Sequence, residues 1–154
     1  MIQRIQTIYL LIAVILMAIM LFAPFADIFS SQGNELFVFH SNGLFVGDSN
    51  KMVIPTWPIS ILIAGILVLL ITAIGLFKKR RLQARICIYT ILLLVGLAGL
   101  IFYYLSVVFK GAELADYSFR LPVIFPIVSI ILIYLAFRGI RKDEALIRSI
   151  DKIR

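Results

Sequence analysis

Charged residues are absent from Ile5–Ala26, Met52–Phe77, Ile86–Phe109 and Leu121–Phe137, runs of 22, 26, 24 and 17 residues. A helix of roughly 20 apolar residues crosses the hydrocarbon of a bilayer. The pattern therefore predicts four spans, at 5–24, 58–77, 86–109 and 121–138. Strands of a transmembrane barrel alternate in polarity over about ten residues, whereas these runs are dominated by Ile, Leu, Val and Phe without such alternation. In lipid each backbone amide and carbonyl must be satisfied internally, which leaves helices. The expected fold is an all-α, four-helix, up-and-down membrane bundle in one domain. An apolar content of 62% and a mean hydropathy of +1.08 leave no room for a separate water-soluble domain.

Charge orients the bundle. Of the 15 Lys and Arg, only Lys51, Lys110 and Arg120 fall in the first and third connections. The other twelve flank the opposite side: Arg4, Lys78–Arg81 and Arg85, then six between Arg138 and Arg154. The positive-inside rule predicts cytoplasmic termini, a basic cytoplasmic turn at 78–85 and an outward-facing connection at 27–57. A net charge of +7 is thus accounted for by topology. The turn lacks the interleaved aromatics that stack bases, so no nucleic-acid partner is expected. Lys78, Lys79, Arg80, Arg81 and Arg85 are instead expected to contact anionic headgroups, at roughly 1 kcal/mol each. Met1–Ala26 imitates a secretory signal, but its apolar run exceeds the usual length and is read as a retained span.

The outer connection carries a hairpin signal. Asn42-Gly43 suits a type I′ turn, which would pair Ser41 with Leu44, His40 with Phe45 and Phe39 with Val46. Phe37, Phe39, Leu44 and Val46 then share one face, and Leu36, Val38, His40 and Phe45 the other. A lone ribbon is marginal in water, so this one is expected to rest on the membrane or bundle, or to dock a partner through Phe37, Phe39, Leu44, Phe45 and Val46. Pro58 suits the first turn of the second helix, and Trp57 suits the interfacial belt.

Small residues in the spans predict close helix approach at Gly65, Gly96 and Gly99. Tyr103, Tyr104 and Ser106 fit either interfacial anchors or the lining of a polar pocket. Pro126 is expected to bend the fourth helix. In the tail, 139–154, Leu146, Ile147, Ile150 and Ile153 recur at helical spacing, and Glu144 precedes Arg148 by four. An amphipathic helix projecting from, or hinged at, Gly139 follows, lying in the headgroup layer or docking a partner.

The opening Met1-Ile-Gln-Arg-Ile-Gln-Thr-Ile-Tyr-Leu, the turn Arg80-Arg-Leu-Gln-Ala-Arg and the ending Lys142-Asp-Glu-Ala-Leu-Ile-Arg-Ser-Ile-Asp-Lys-Ile-Arg together resemble a domain-of-unknown-function family. Its members are small four-helix inner-membrane proteins of Bacteroidetes. The resemblance covers essentially the whole chain and implies that the hairpin faces the periplasm. It brings no catalytic residues.

Chemistry-bearing residues are sparse. The four runs contain no Asp, Glu, Lys, Arg or His; a charge at mid-bilayer costs roughly 2.5–3.5 kcal/mol, and its presence would have marked a functional site. Cys87 and His40 are each the sole residue of their type, so a disulfide or a multi-ligand metal site has no candidates. No cofactor and no enzymatic activity are expected. The favoured role is a non-catalytic accessory or scaffold subunit of an inner-membrane complex, in protein translocation or envelope biogenesis. The alternative is an uncoupled transporter or lipid-binding protein.

Overall fold

The structure, a computed structural model, describes residues 2–30, 36–47, 51–77, 79–108 and 114–151; for 2–4, 30, 107–108, 114–117 and 146–151 only the backbone is considered. Helix α1 (Ile2–Phe22) leads into strands β1 (Ala26–Ser30), β2 (Leu36–Phe39), β3 (Gly43–Val46) and β4 (Lys51–Pro55). Helices α2 (Trp57–Gly75) and α3 (Arg80–Tyr103) follow, α3 ending in a π turn, Tyr104–Val108. Strand β5 (Leu114–Phe119), a 3-10 turn (Leu121–Ile124) and α4 (Phe125–Asp151) complete the chain.

The helices pack in a ring: α1 against α2 and α4, and α3 against α2 and α4. Each contributes a narrow buried stripe. On α1 it runs Gln6, Leu10, Ala13, Met17, Met20; on α2, Ile59, Ile63, Ile66, Leu70, Ala73. On α4 it runs Ser129, Ile133, Ala136, Ile140, Asp143. Alternating steps of four and three average 3.5 residues, the period that keeps one seam facing its neighbours in a left-handed bundle. The remaining faces expose Ile, Leu, Val and Phe, such as Leu92 and Val68, as lipid contact requires.

Two helix boundaries differ from the sequence-based expectation. The basic stretch does not form an eight-residue turn, because α3 already begins at Arg80. Arg-Arg-Leu-Gln-Ala-Arg contains good helix formers and no breaker. The fourth helix runs 27 residues without interruption, so the tail projects on from Gly139 as a continuation of the span and is not hinged there. A Cβ there would stand 3.0 Å from the Gln6 side chain, and the missing side chain lets α1 and α4 approach. Pro126 lies in the first turn of α4, where its absent N–H costs no internal hydrogen bond. No bend is needed there.

The sheet at this end of the bundle is larger than a hairpin. Five antiparallel strands form one sheet in the order β4-β3-β2-β1-β5. β5 comes from the third connection and pairs with β1, with Ala26 opposite Phe119 and Ile28 opposite Tyr117. Within the hairpin, Phe37 faces Val46, Val38 faces Phe45 and Phe39 faces Leu44. This register is two residues away from the expected one. Side-chain direction repeats every two residues, so the division into two faces survives the shift. Gly43 does not adopt positive φ; among the described glycines only Gly47 does, at 30°. Space at Gly43 is tight beside the neighbouring strand β4: a Cβ would lie 3.2 Å from the Ile54 carbonyl oxygen and from the Met52 side chain.

The hairpin tip points down into the helices. The Ser41 hydroxyl donates to the Leu21 carbonyl at the end of α1, 2.7 Å. The Thr56 backbone N–H, just before α2, donates to the Asn42 carbonyl at 3.0 Å, and the Thr56 hydroxyl donates to the His40 and Ser41 carbonyls at 3.1 and 3.2 Å. Ser60 donates to the Asn42 side-chain oxygen. One contiguous apolar cluster runs from Ile140 through the bundle to Phe25, Phe39 and Leu44 beneath the sheet, with Phe25 edge-on to Phe39 at 5.2 Å. Thr56 is wholly buried. Replacing Thr56 with Val is expected to destabilise the protein by about 1–3 kcal/mol, since two buried carbonyls lose their donor. Thermal unfolding in detergent, compared with Thr56→Ser, measures this; an unchanged Tm for Thr56→Val would refute the role of this bond.

Candidate functional site

The strongest concentration of polar side chains lies where α1, α3 and α4 meet at the basic end. The Gln6 amide donates to the Asp143 carboxylate at 2.9 Å, and both residues are buried, at 7% exposure each. The Arg80 guanidinium approaches the same carboxylate at 3.9 Å, an ion-pair distance beyond direct hydrogen bonding. One turn further along α3, Gln83 is 6% exposed. Arg81 donates to Glu144 at 3.0 Å, so Glu144 clamps α3 to α4 rather than serving only its own helix. The Arg148 side chain lies outside the described residues.

Beside this cluster opens a cleft of about 500 Å³ lined by Gln6, Thr7, Ile8, Leu11, Phe77, Arg80 and Gln83. Its polar residues, Gln6, Thr7, Arg80 and Gln83, sit toward the helix ends. Ile8 and Leu11 lie deeper along α1. At the start of α3, Lys79 makes no side-chain cap and no acidic residue occupies the first turn. The negative charge near the positive end of this helix dipole comes from α4, through Asp143 and Glu144 beside Arg80 and Arg81.

The cations expected to meet lipid fall in different settings. Lys79 and Arg85 are exposed, Arg80 is partly buried and Arg81 is paired; Lys78 lies outside the described residues. Sequence reading missed Gln6, Gln83 and Asp143. The available signal was two glutamines at the margins of otherwise apolar helices, residues that seek partners when withdrawn from water.

At the sheet end, the expected docking set divides. Phe37, Phe39 and Leu44 are core residues, exposed by 9%, 0% and 0%, and are unavailable for docking. Phe45 and Val46 are half-buried. The opposite sheet face instead carries the exposed apolar groups Phe29, Leu36 and Met52, with Val53 exposed at the β3–β4 bulge. Leu146, Ile147, Ile150 and Ile153 on the tail have side chains outside the described residues. Gly65, Gly96 and Gly99 all face outward, and a Cβ on any of them would meet nothing within 4 Å. They do not mediate packing within this chain, contrary to expectation. Tyr103 is exposed, Tyr104 and Ser106 are half-buried, and none lines the basic-end cleft or the outer one described next.

The outer cleft, about 300 Å³, is lined by Leu21, Phe22, Val38, His40, Ser41, Asn42, Phe45 and Gly47. His40 is half-buried there, edge-on to Phe45 at 5.7 Å. Burial, and then the positive charge of Arg120, hold its pKa below 6.5. Arg120 itself binds both Asp27 oxygens, at 2.7 and 2.8 Å, tying β1 to the segment that enters α4.

Four helices long and apolar enough to cross a bilayer, capped by a small sheet, make this a multi-pass membrane protein. The chain belongs to the family described as Domain of unknown function (DUF4293), whose model matches residues 2–153. No curated protein matches it.

Two outcomes are expected. Asp143→Ala removes the acceptor of Gln6 and the partner of Arg80, and should cost about 1.5–3 kcal/mol, the range for hydrogen bonds to charged groups. Gly139→Leu should lower Tm as well, by forcing α1 from α4; a Tm unchanged in both would show that this junction carries no stability. His40 gives a pH signature. Its native pKa lies below the unfolded value, so the unfolded chain binds more protons in between, and stability falls as pH drops below about 6.5. The difference in Tm between the natural chain and His40→Gln, followed from about pH 7.5 to 5, should narrow or reverse with acidification.

Proposed function

We propose that this protein is a non-catalytic accessory or scaffold subunit of an inner-membrane assembly in a diderm bacterium of the Bacteroidetes. In this reading the basic end faces the cytoplasm, the sheet faces the periplasm, and the assembly works in protein translocation or envelope biogenesis. The observation that carries it is the apolar outer face of the sheet. Phe29, Leu36 and Met52 are exposed by 46%, 37% and 51%, at the end of the molecule beyond the spans. Apolar groups gathered outside the hydrocarbon mark interaction surfaces. β4 also forms a sheet edge, a site where an extended partner segment can add a strand. Spans without Asp, Glu, Lys, Arg or His suit a protein that holds neighbours rather than one that transforms a substrate.

Sidedness is tested by labelling: in a Cys87→Ser background, Met52→Cys should react with an impermeant thiol reagent in intact spheroplasts, and Lys79→Cys only after permeabilisation. The reverse pattern would invert the topology. For docking, a photo-crosslinking residue at Met52 should capture another membrane-assembly chain, while one at lipid-facing Leu92 should not. Met52→Asp should abolish co-purification at unchanged Tm. A monodisperse monomer without companions in mild detergent, together with no capture at Met52, would refute the scaffold reading.

A further inference from the structure

We propose that the cleft between α1, the end of α2 and the start of α3 holds one anionic phospholipid, its phosphate against Arg80 and Gln83 and an acyl chain along Ile8 and Leu11. Four observations converge. First, the cleft is amphipathic in the sense a lipid demands: Gln6, Arg80 and Gln83 stand at the membrane-surface end, while Ile8 and Leu11 line the deeper part. Ile8 and Leu11 are themselves about half exposed, so the wall opens sideways to the bilayer. Second, Gln83, only 6% exposed as a residue, lines this cleft, and its side-chain amide is a hydrogen-bond donor for a phosphate oxygen.

Third, the charge fits an anion. Asp143 approaches Arg80 only at 3.9 Å, which orients the guanidinium without consuming its donors, and its fork geometry suits phosphate oxygens. The carboxylate's closer bond is to Gln6, at 2.9 Å, so its charge is already partly satisfied. Fourth, the uncapped start of α3 adds the positive end of a helix dipole to the same place. A volume of about 500 Å³ admits a headgroup with the first part of a chain, the remainder lying in the surrounding bilayer. The exposed Lys79 and Arg85 raise the local concentration of anionic lipid; the cleft then selects one molecule.

Native mass spectrometry of the full chain, released from detergent with equal amounts of phosphatidylglycerol and phosphatidylcholine of identical chains, tests this. One phosphatidylglycerol per chain should be retained preferentially. Arg80→Gln and Gln83→Leu should each reduce retention by about tenfold, the size of a lost charge-assisted or buried hydrogen bond. Arg85→Gln removes the same charge outside the cleft and should leave retention unchanged. Should Arg80→Gln lower Tm, Gln83→Leu and the cleft-filling Ile8→Trp carry the test. Equal loss in Arg80→Gln and Arg85→Gln would reduce the effect to diffuse attraction and overturn the proposal. Equal retention of the two lipids, or full competition by millimolar inorganic phosphate, would overturn it too, as would capture of a peptide in the cleft. These outcomes are independent of the scaffold reading, which rests on the opposite end of the molecule.

Discussion

Lipid offers no hydrogen bonds, and that single deficiency organises most of what this chain does with its few polar groups. Thr72 on the outward face of α2 returns its hydroxyl to the Val68 and Leu69 carbonyls of its own helix. Thr90, wholly buried, does the same with Ile86. Gln6 reaches across to Asp143. The buried Ser129 hydroxyl has no partner among the described residues. Since hydrocarbon solvates Leu and Ile as well outside as inside, the hydrophobic effect does little to bring the helices together. Close packing along the 4-3 stripes and polar contacts at the two ends supply the specificity.

The sheet end works as a joint. The segment His40–Asn42 fills the gap between the end of α1 and the start of α2, accepting from Thr56 and Ser60 and donating through Ser41 to Leu21. Orphan carbonyl and amide groups at helix termini must find partners, and here some find them in a strand loop. Thr56 precedes α2 but makes no side-chain cap to it, because its hydroxyl is committed to the hairpin. The bidentate Arg120–Asp27 pair and the Arg120 N–H to the Phe25 carbonyl, 2.8 Å, connect the other edge. Sheet and bundle are thus joined by directional bonds and by one shared apolar core.

Opposite ends of the molecule consequently offer different chemistry. Toward the sheet, an apolar outer face and a strand edge suit protein contact. Toward the basic end, a half-open cleft combines buried amides, a partly engaged guanidinium and aliphatic walls. The scaffold function proposed here uses the first; the bound lipid uses the second, and would fill the cleft beside the junction that Gly139, Gln6 and Asp143 create. Helix α4 continues beyond Glu144, its last described clamp to α3, for seven further residues to Asp151, about 10 Å at the helical rise.

Length, hydropathy and charge asymmetry determined that this chain makes four helices of spanning length, and roughly where each lies. Those properties are set residue by residue through transfer from water to lipid. The division of the hairpin into two faces was equally legible, because a period of two survives a shift of register by two. Which side of each helix faces its neighbours was not. On a soluble protein the buried face is betrayed by polar residues opposite it, whereas here both faces are apolar and the 4-3 stripe disappears into uniform hydrophobicity. That is why Gly65, Gly96 and Gly99 resembled packing sites yet point outward, and why Gly139, beside charges, is the glycine that brings helices together. The recruitment of β5 and the convergence of Gln6, Arg80, Gln83 and Asp143 join residues as much as 137 positions apart. Only the closed ring of helices could decide them, because no local preference specifies which distant side chain will answer a buried amide.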